Sequence, residues 1–255
     1  MMGYLNEFTK KFNETEFLRA VYEAGYRTDI NLIVLDEMNL ARVEYYFADF
    51  LSLLEMPHPS EWLVDLVPDQ LPDDPALLNN GKMLIPQNVW FIGTANKDDS
   101  TFTITDKVYD RVVSIEINHK ADEVKTPYAK SVTISHEYLN KLFDDAVKDY
   151  KLDTKLLDQI YKLDQYISEK FQITFGNRII KQVHIFVPVY VACGGEALTG
   201  LDQFISRKII RKFETLNLPF MQQELEELLI IFDKLFGKEN FAYCKGMVKN
   251  YLRQI

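Results

Sequence analysis

The sequence predicts an α/β domain, a parallel sheet with flanking helices, followed by an all-α domain, with the division between residues 118 and 119. Three observations carry that expectation. Residues 32–35 (LIVL) and 89–92 (VWFI) are short continuous apolar runs rich in branched and aromatic side chains, the pattern of strands buried on both faces. Each run leaves into polar residues, Asp36 and Glu37 after the first and Asn96 after the second. From about residue 119 onward, apolar residues recur at helical spacing instead. Charge shifts at the same place: residues 1–118 carry 9 basic and 20 acidic side chains, a net of −11, whereas residues 119–255 carry 20 and 18, a net of +2.

In chain order, Asn13 and Glu16 have the spacing of a capping box for a helix that carries Phe17, Leu18, Val21 and Tyr22 on one face and ends near Gly25. That helix delivers the chain to the first strand. Beyond it, Val43, Phe47, Phe50, Leu51 and Leu54 recur at helical spacing for packing on the sheet, with Tyr45 and Tyr46 sharing that packing. Residues 57–86 are proline-rich and contain Asn79-Asn80-Gly81, a turn signal, so residues 62–66 and 83–85 read as an antiparallel hairpin inserted before the second strand. Residues 103–111 read as helical and residues 112–117 as a third strand. Helices follow over 136–150, 156–171, 182–193, 198–213, 221–236 and 241–252, the second of them with Leu157, Ile160, Tyr161 and Ile167 on its apolar face. The stretch 182–193 is apolar nearly all round and contains Pro188; it reads as a buried, kinked helix, with a strand as the alternative. Arg207, Lys208, Arg211 and Lys212 form a basic stripe that reads as a solvated face.

Composition narrows the function classes. A hydrophobic content of 47% and a charged content of 26% are those of an ordinary globular protein. No apolar run is long enough to span a bilayer and the N-terminus lacks the core of a signal peptide, so no membrane partner and a cytoplasmic location are expected. Cys193 and Cys244 stand alone, without metal-ligand spacing, and read as small buried hydrophobes; neither a disulfide nor a zinc site is expected. A net charge of −9 disfavours general binding to phosphate backbones, so nucleic acid would be contacted only indirectly.

Carboxylates at the carboxyl end of a parallel strand lie where such sheets bind ligands. One can hold Mg²⁺ through water while its neighbour orients or deprotonates an attacking water, and the Asn96 amide can bond both a phosphate oxygen and that water. An acidic pair that merely solvates a strand-to-loop junction is the alternative.

The stretch DEMN at 36–39 resembles the Walker B motif of AAA+ NTPases of the McrB and MoxR type, and GTAN at 93–96 resembles their sensor-one segment. Pro86 and Asn88 before the second strand, and TDKVYDR at 105–111 after it, are similar to the McrB branch. This resemblance covers roughly residues 30–215. It implies a partial P-loop NTPase (AAA+) sheet with a C-terminal helical lid bundle, and it assigns Glu37, Asn96 and Arg111 to catalysis, Asp36 to the metal, and Asp36, Asn39 and Arg178 to the nucleotide. Arg111 would be an arginine finger reaching across a subunit interface. Here Asp110-Arg111-Val112 stands where the family tends to have consecutive arginines, and a local pair with Asp110 or Asp106 is the structural alternative. Arg178, in FGNRIIKQ, matches the sensor-two region. The cofactor implied is Mg²⁺ with ATP or GTP. The partners implied are a homo-oligomeric ring and a nuclease or other effector subunit. In the family an insertion like 57–86 faces the pore or a partner; a loop covering a sheet edge is the other reading.

A P-loop needs G-x-x-x-x-G-K-[ST] so that backbone amides wrap the phosphates and a lysine reaches their charge. Only Gly195 and Gly200 have that separation, and Leu201 follows them. The expectation is therefore the C-terminal part of an AAA+ subunit that depends on an N-terminal P-loop segment and is inactive alone. A non-catalytic relic or interaction module that keeps the fold's appearance is the alternative.

Overall fold

The chain divides into two units, Met1–Leu139 and Asn140–Ile255, the first mixed α/β and the second helical. The computed structural model describes residues 2–9, 11–68, 74–96, 98, 100–117, 128 and 130–255, so the domain division expected between 118 and 119 lies outside the described residues.

The first unit opens with a hairpin, β1 (Gly3–Asn6) and β2 (Lys11–Glu14), for which the sequence carries no strong turn signal. Helix α1 (Glu16–Ala24) follows. Its N-cap is Thr15, whose hydroxyl accepts from the Leu18 amide at 3.2 Å; Asn13 sits inside β2, so the capping box expected from Asn13 and Glu16 does not form. Leu18, Val21 and Ala24 are its buried stripe. Strand β3 (Asn31–Leu35) leads through a 3₁₀ turn, Met38–Leu40, into α2 (Val43–Tyr46) and α3 (Ala48–Leu53).

The proline-rich insertion forms β4 (Leu63–Asp65), β5 (Leu78–Asn79) and β6 (Lys82–Leu84), a small antiparallel sheet in the order β4-β6-β5. The pairing of Leu63 with Leu84 is the expected hairpin, and β5 adds a strand. Asn80 and Gly81 link β5 to β6 with φ of 51° and 73°, the two left-handed positions that a two-residue hairpin turn of this hand requires. Strand β7 (Val89–Gly93) and the short α4 (Asp106–Tyr109) complete the unit's regular elements.

Strands β3 and β7 pair in parallel, Leu32 opposite Trp90, Val34 opposite Ile92 and Leu35 opposite Gly93. One face of this pair is covered. Phe91 packs in an aromatic cluster with Phe17, Phe47 and Phe50, ring centroids 5.0 to 6.5 Å apart, while Ile33 lies against the buried residues of α1. The other face is open: Leu32, Val34, Trp90 and Ile92 are 57%, 58%, 39% and 44% exposed. The apolar runs are thus not buried on both sides as the sequence suggested, because this unit covers one side of the sheet only. Residues 113–117 take no regular structure, and Val113, Ile115 and Ile117 are exposed instead of forming the expected third strand. Tyr45 is exposed as well, whereas Tyr46 is half-buried, its hydroxyl donating to the Met38 carbonyl at 2.8 Å.

Helix α5 (His136–Asp149) begins in the first unit and runs into the second, which contains α6 (Thr154–Phe171), α7 (Gly176–Ala192), α8 (Ala197–Lys208), α9 (Gln222–Phe236) and α10 (Ala242–Leu252). Leu163, Ile167, Val187, Leu201, Ile205, Phe213, Leu225, Phe232 and Val248 form its core. Pro188 lies inside α7, so the helical reading of 182–193 is the one adopted. Tyr161, expected on the apolar face of α6, is exposed, and Cys193 is exposed while Cys244 is buried. The basic stripe is not a solvated face: Lys208 and Arg211 are buried, because the chain turns at Ile209 into a 3₁₀ segment, Ile210–Thr215, that packs back on the core. Among the described residues no helix is long and apolar enough to cross a membrane.

Candidate functional site

The two parallel strands end side by side, and their carboxyl ends are cross-tied. Thr94 continues the pairing with its amide donating to the Leu35 carbonyl at 3.0 Å, and its own carbonyl accepts from the Met38 amide at 2.8 Å. Its hydroxyl donates to Asp36 Oδ1 at 2.6 Å and accepts from the Glu37 amide at 2.8 Å. Glu37 itself is left-handed, with φ 48° and ψ 45°, a conformation uncommon for a residue with a long side chain. The turn thereby places two adjacent acidic residues at the strand end, the first of them bonded to Thr94 of the neighbouring strand. Both residues are exposed, and among the described residues no lysine or arginine forms an ion pair with either.

Asn39 makes the second cross-tie. It is 4% exposed, and its amide Nδ2 donates to the carbonyls of Asn96 at 2.7 Å and Phe102 at 3.2 Å, while the Phe102 amide returns a bond to the Asn39 carbonyl at 2.8 Å. Asn39 is thus turned toward backbone. The Asn96 carbonyl also accepts from the Thr101 hydroxyl at 2.9 Å, leaving the exposed Asn96 carboxamide without a described partner. Next in the same loop, the Ser100 hydroxyl and amide hold the Asp98 carboxyl below the usual carboxylate range. The Met38 side chain lies over Gly93 at the end of β7, so a residue with a Cβ there would require Met38 to move. At the opposite end of the strands, buried Asn88 donates to the carbonyls of Ala24, Arg27 and Asp29 at 2.9 to 3.1 Å, which fixes the start of β7 against the end of α1.

Asp36, Glu37, Asn39 and Asn96 therefore share one sheet end. Arg111 belongs to the same unit, after α4, where its Nε pairs with Glu55 at 2.9 Å and its Nη1 donates to the Ser52 hydroxyl at 3.3 Å. That ion pair differs from the Asp110 or Asp106 pairing considered from sequence. Arg178 stands in the first turn of α7, in the other unit. Two residues drew little notice in the sequence. Thr94 lies within the GTAN stretch but the sequence assigns it no role of its own, because its hydroxyl matters through Asp36 and Glu37, 58 and 57 positions away. Arg42 carries no motif, yet its guanidinium lies 5.7 Å from the Tyr45 ring and 5.5 Å from the Phe102 ring, beside the turn that bears Asn39.

Among the described residues no group of three or more His, Cys, Asp or Glu side chains could hold a metal by itself. One uncompensated carboxylate at a strand end nevertheless suits Mg²⁺, which is commonly held through one or two carboxylates, water and phosphate oxygens. Comparison with family models, with curated proteins and with solved structures gave no match. The site is thus read from its geometry and from the motifs it contains.

Proposed function

We propose that this chain is the C-terminal part of an AAA+ NTPase subunit of the McrB/MoxR-like type, which couples Mg²⁺-dependent hydrolysis of ATP or GTP to remodelling of a partner. The observation that carries this reading is the pairing of two features on one parallel strand pair. Its carboxyl end gathers Asp36, Glu37 and Asn96, and one of its faces, Leu32, Val34, Trp90 and Ile92, is apolar and open. Parallel sheets are otherwise covered on both faces, so a complementary α/β segment bearing the P-loop accounts for both features.

In this reading Asp36 holds Mg²⁺, which when bound neutralises phosphate charge. Glu37 takes the proton of the attacking water. Asn96 orients that water against the terminal phosphate through its exposed carboxamide. Arg111 supplies positive charge to a neighbouring subunit's site in a ring, and Arg178 reports on the nucleotide from the lid. A nuclease or other effector is the expected recipient of the work, with no membrane involved and nucleic acid touched only through it.

The second reading, a non-catalytic interaction module, is favoured by the engagement of Arg111 with Glu55 and Ser52 inside its own unit. Phosphate release and calorimetric nucleotide binding decide between the two. The 255-residue chain alone should neither bind nor hydrolyse nucleotide, because affinity comes largely from the P-loop amides and lysine. Joined to a segment bearing G-x-x-x-x-G-K-[ST] it should turn over, and Glu37→Gln should then abolish hydrolysis while sparing binding. Nucleotide binding by the joined protein without turnover would establish the module instead.

A further inference from the structure

We propose that Thr94 and Asn39 are positioning residues that clamp the turn after β3 to the exit of β7, so that Asp36, Glu37 and Asn96 are set in place before any ligand arrives. That role presupposes the hydrolytic reading of the site, while the clamp itself is a property of the chain alone.

A threonine hydroxyl has one proton. Here it goes to Asp36 Oδ1 at 2.6 Å, and the hydroxyl oxygen of Thr94 accepts from the Glu37 amide at 2.8 Å. One atom thus fixes the side-chain direction of the proposed metal ligand and the backbone of the proposed base. The second function matters because Glu37 is left-handed at φ 48°, and such a backbone persists only when its surroundings determine it. The Glu37 carbonyl is held in turn by the Leu40 amide at 3.0 Å.

Asn39 treats the other strand in the same way. Both polar groups facing its amide are carbonyls, those of Asn96 and Phe102, so the orientation of the amide is forced: its two hydrogens serve the two oxygens. With the Phe102 amide bonded to the Asn39 carbonyl at 2.8 Å, Asn96 and Phe102 are both pinned to the turn that bears the carboxylates. Packing alone would be met as well by valine at 94 and leucine at 39. The hydrogen-bonding groups are what set the geometry.

Amide exchange followed residue by residue in the chain tests this, with kcat and nucleotide affinity measured on the chain joined to a P-loop segment. Thr94→Val should speed exchange of the Glu37 amide about tenfold, the loss of one hydrogen bond of ordinary net strength, and leave the amides of α1 and α3 unchanged. Thr94→Ser should restore wild-type exchange, and Asn39→Leu should speed exchange at Phe102. In the joined protein Thr94→Val should lower kcat about tenfold with nucleotide affinity unchanged, and Thr94→Ser should recover it. Unchanged Glu37 exchange in Thr94→Val, a Thr94→Ser variant as defective as Thr94→Val, faster exchange spread evenly over the unit, or turnover indifferent to Thr94→Val would each overturn the clamp. A wild-type joined protein without turnover, its exchange pattern intact, would instead overturn the hydrolytic reading and leave the clamp standing.

Discussion

Glu37 has a backbone that its side chain does not favour. Left-handed conformation costs an L residue roughly 1–2 kcal/mol, while asparagine tolerates it better through its short polar side chain. Glu37→Asn is therefore expected to raise the chain's unfolding free energy by about 0.5 kcal/mol or more in urea titration, although it removes the proposed base. Lower stability in this variant would show that the turn is not strained. Asn88 makes the opposite case: its buried amide shares two hydrogens among three carbonyls, of which those of Ala24 and Asp29 also accept from the Arg27 amide and the Asn31 side chain, so its replacement by alanine should cost about 1 kcal/mol, the net worth of an ordinary hydrogen bond. A change below about 0.5 kcal/mol would mean that water takes its place. The two asparagines also mark what the sequence could and could not tell. Asn88 and Asn39 stood out through motifs, but their bonds are to backbone 57 to 64 positions away, and no local pattern announces such partners.

At the scale of elements, the helices from α6 onward were legible because each buries a regular apolar stripe and has room to extend it. Short elements were not: α4 is a single turn within the expected 103–111 helix, and residues 113–117 have the composition of a strand without a described neighbour to pair with. Cys193 was misread for a similar reason, since apolar composition around α7 does not say that its C-cap residue faces out. Thiol labelling of the folded chain should modify Cys193 readily and Cys244 only on unfolding, because burial and then the neighbouring Asp202 charge hold the Cys244 thiol well above its ordinary pKa. Equal labelling rates would place α10 differently. Arg111, just beyond α4, keeps a partly exposed pair with Glu55, and such pairs contribute on the order of 0–1 kcal/mol. Arg111→Ala should thus barely move the thermal midpoint of the chain, yet strongly reduce turnover of the joined protein with nucleotide binding retained. Unchanged turnover would leave Arg111 the Glu55 partner and nothing more.

For the molecule as a whole, the open sheet face is the feature on which the proposed dependence on a P-loop segment can be tested without chemistry. Val34 is already 58% exposed, so Val34→Lys should change the unfolding free energy of the chain alone by less than about 0.5 kcal/mol, the usual range for surface substitutions. If the P-loop segment covers this face, adding it at about a hundred times its dissociation constant should stabilise the wild-type chain by roughly 2.7 kcal/mol. A lysine at position 34 would then have to be buried against apolar surface, and the gain should vanish. Phe8→Lys, at the tip of the β1–β2 hairpin and 99% exposed, serves as the control and should keep the full gain. The two acidic residues at the strand end need no change in this experiment, so its outcome is independent of whether they hydrolyse anything. A gain that survives Val34→Lys would mean that the segment docks elsewhere, and the pairing of open face and acidic strand end would no longer support the AAA+ reading.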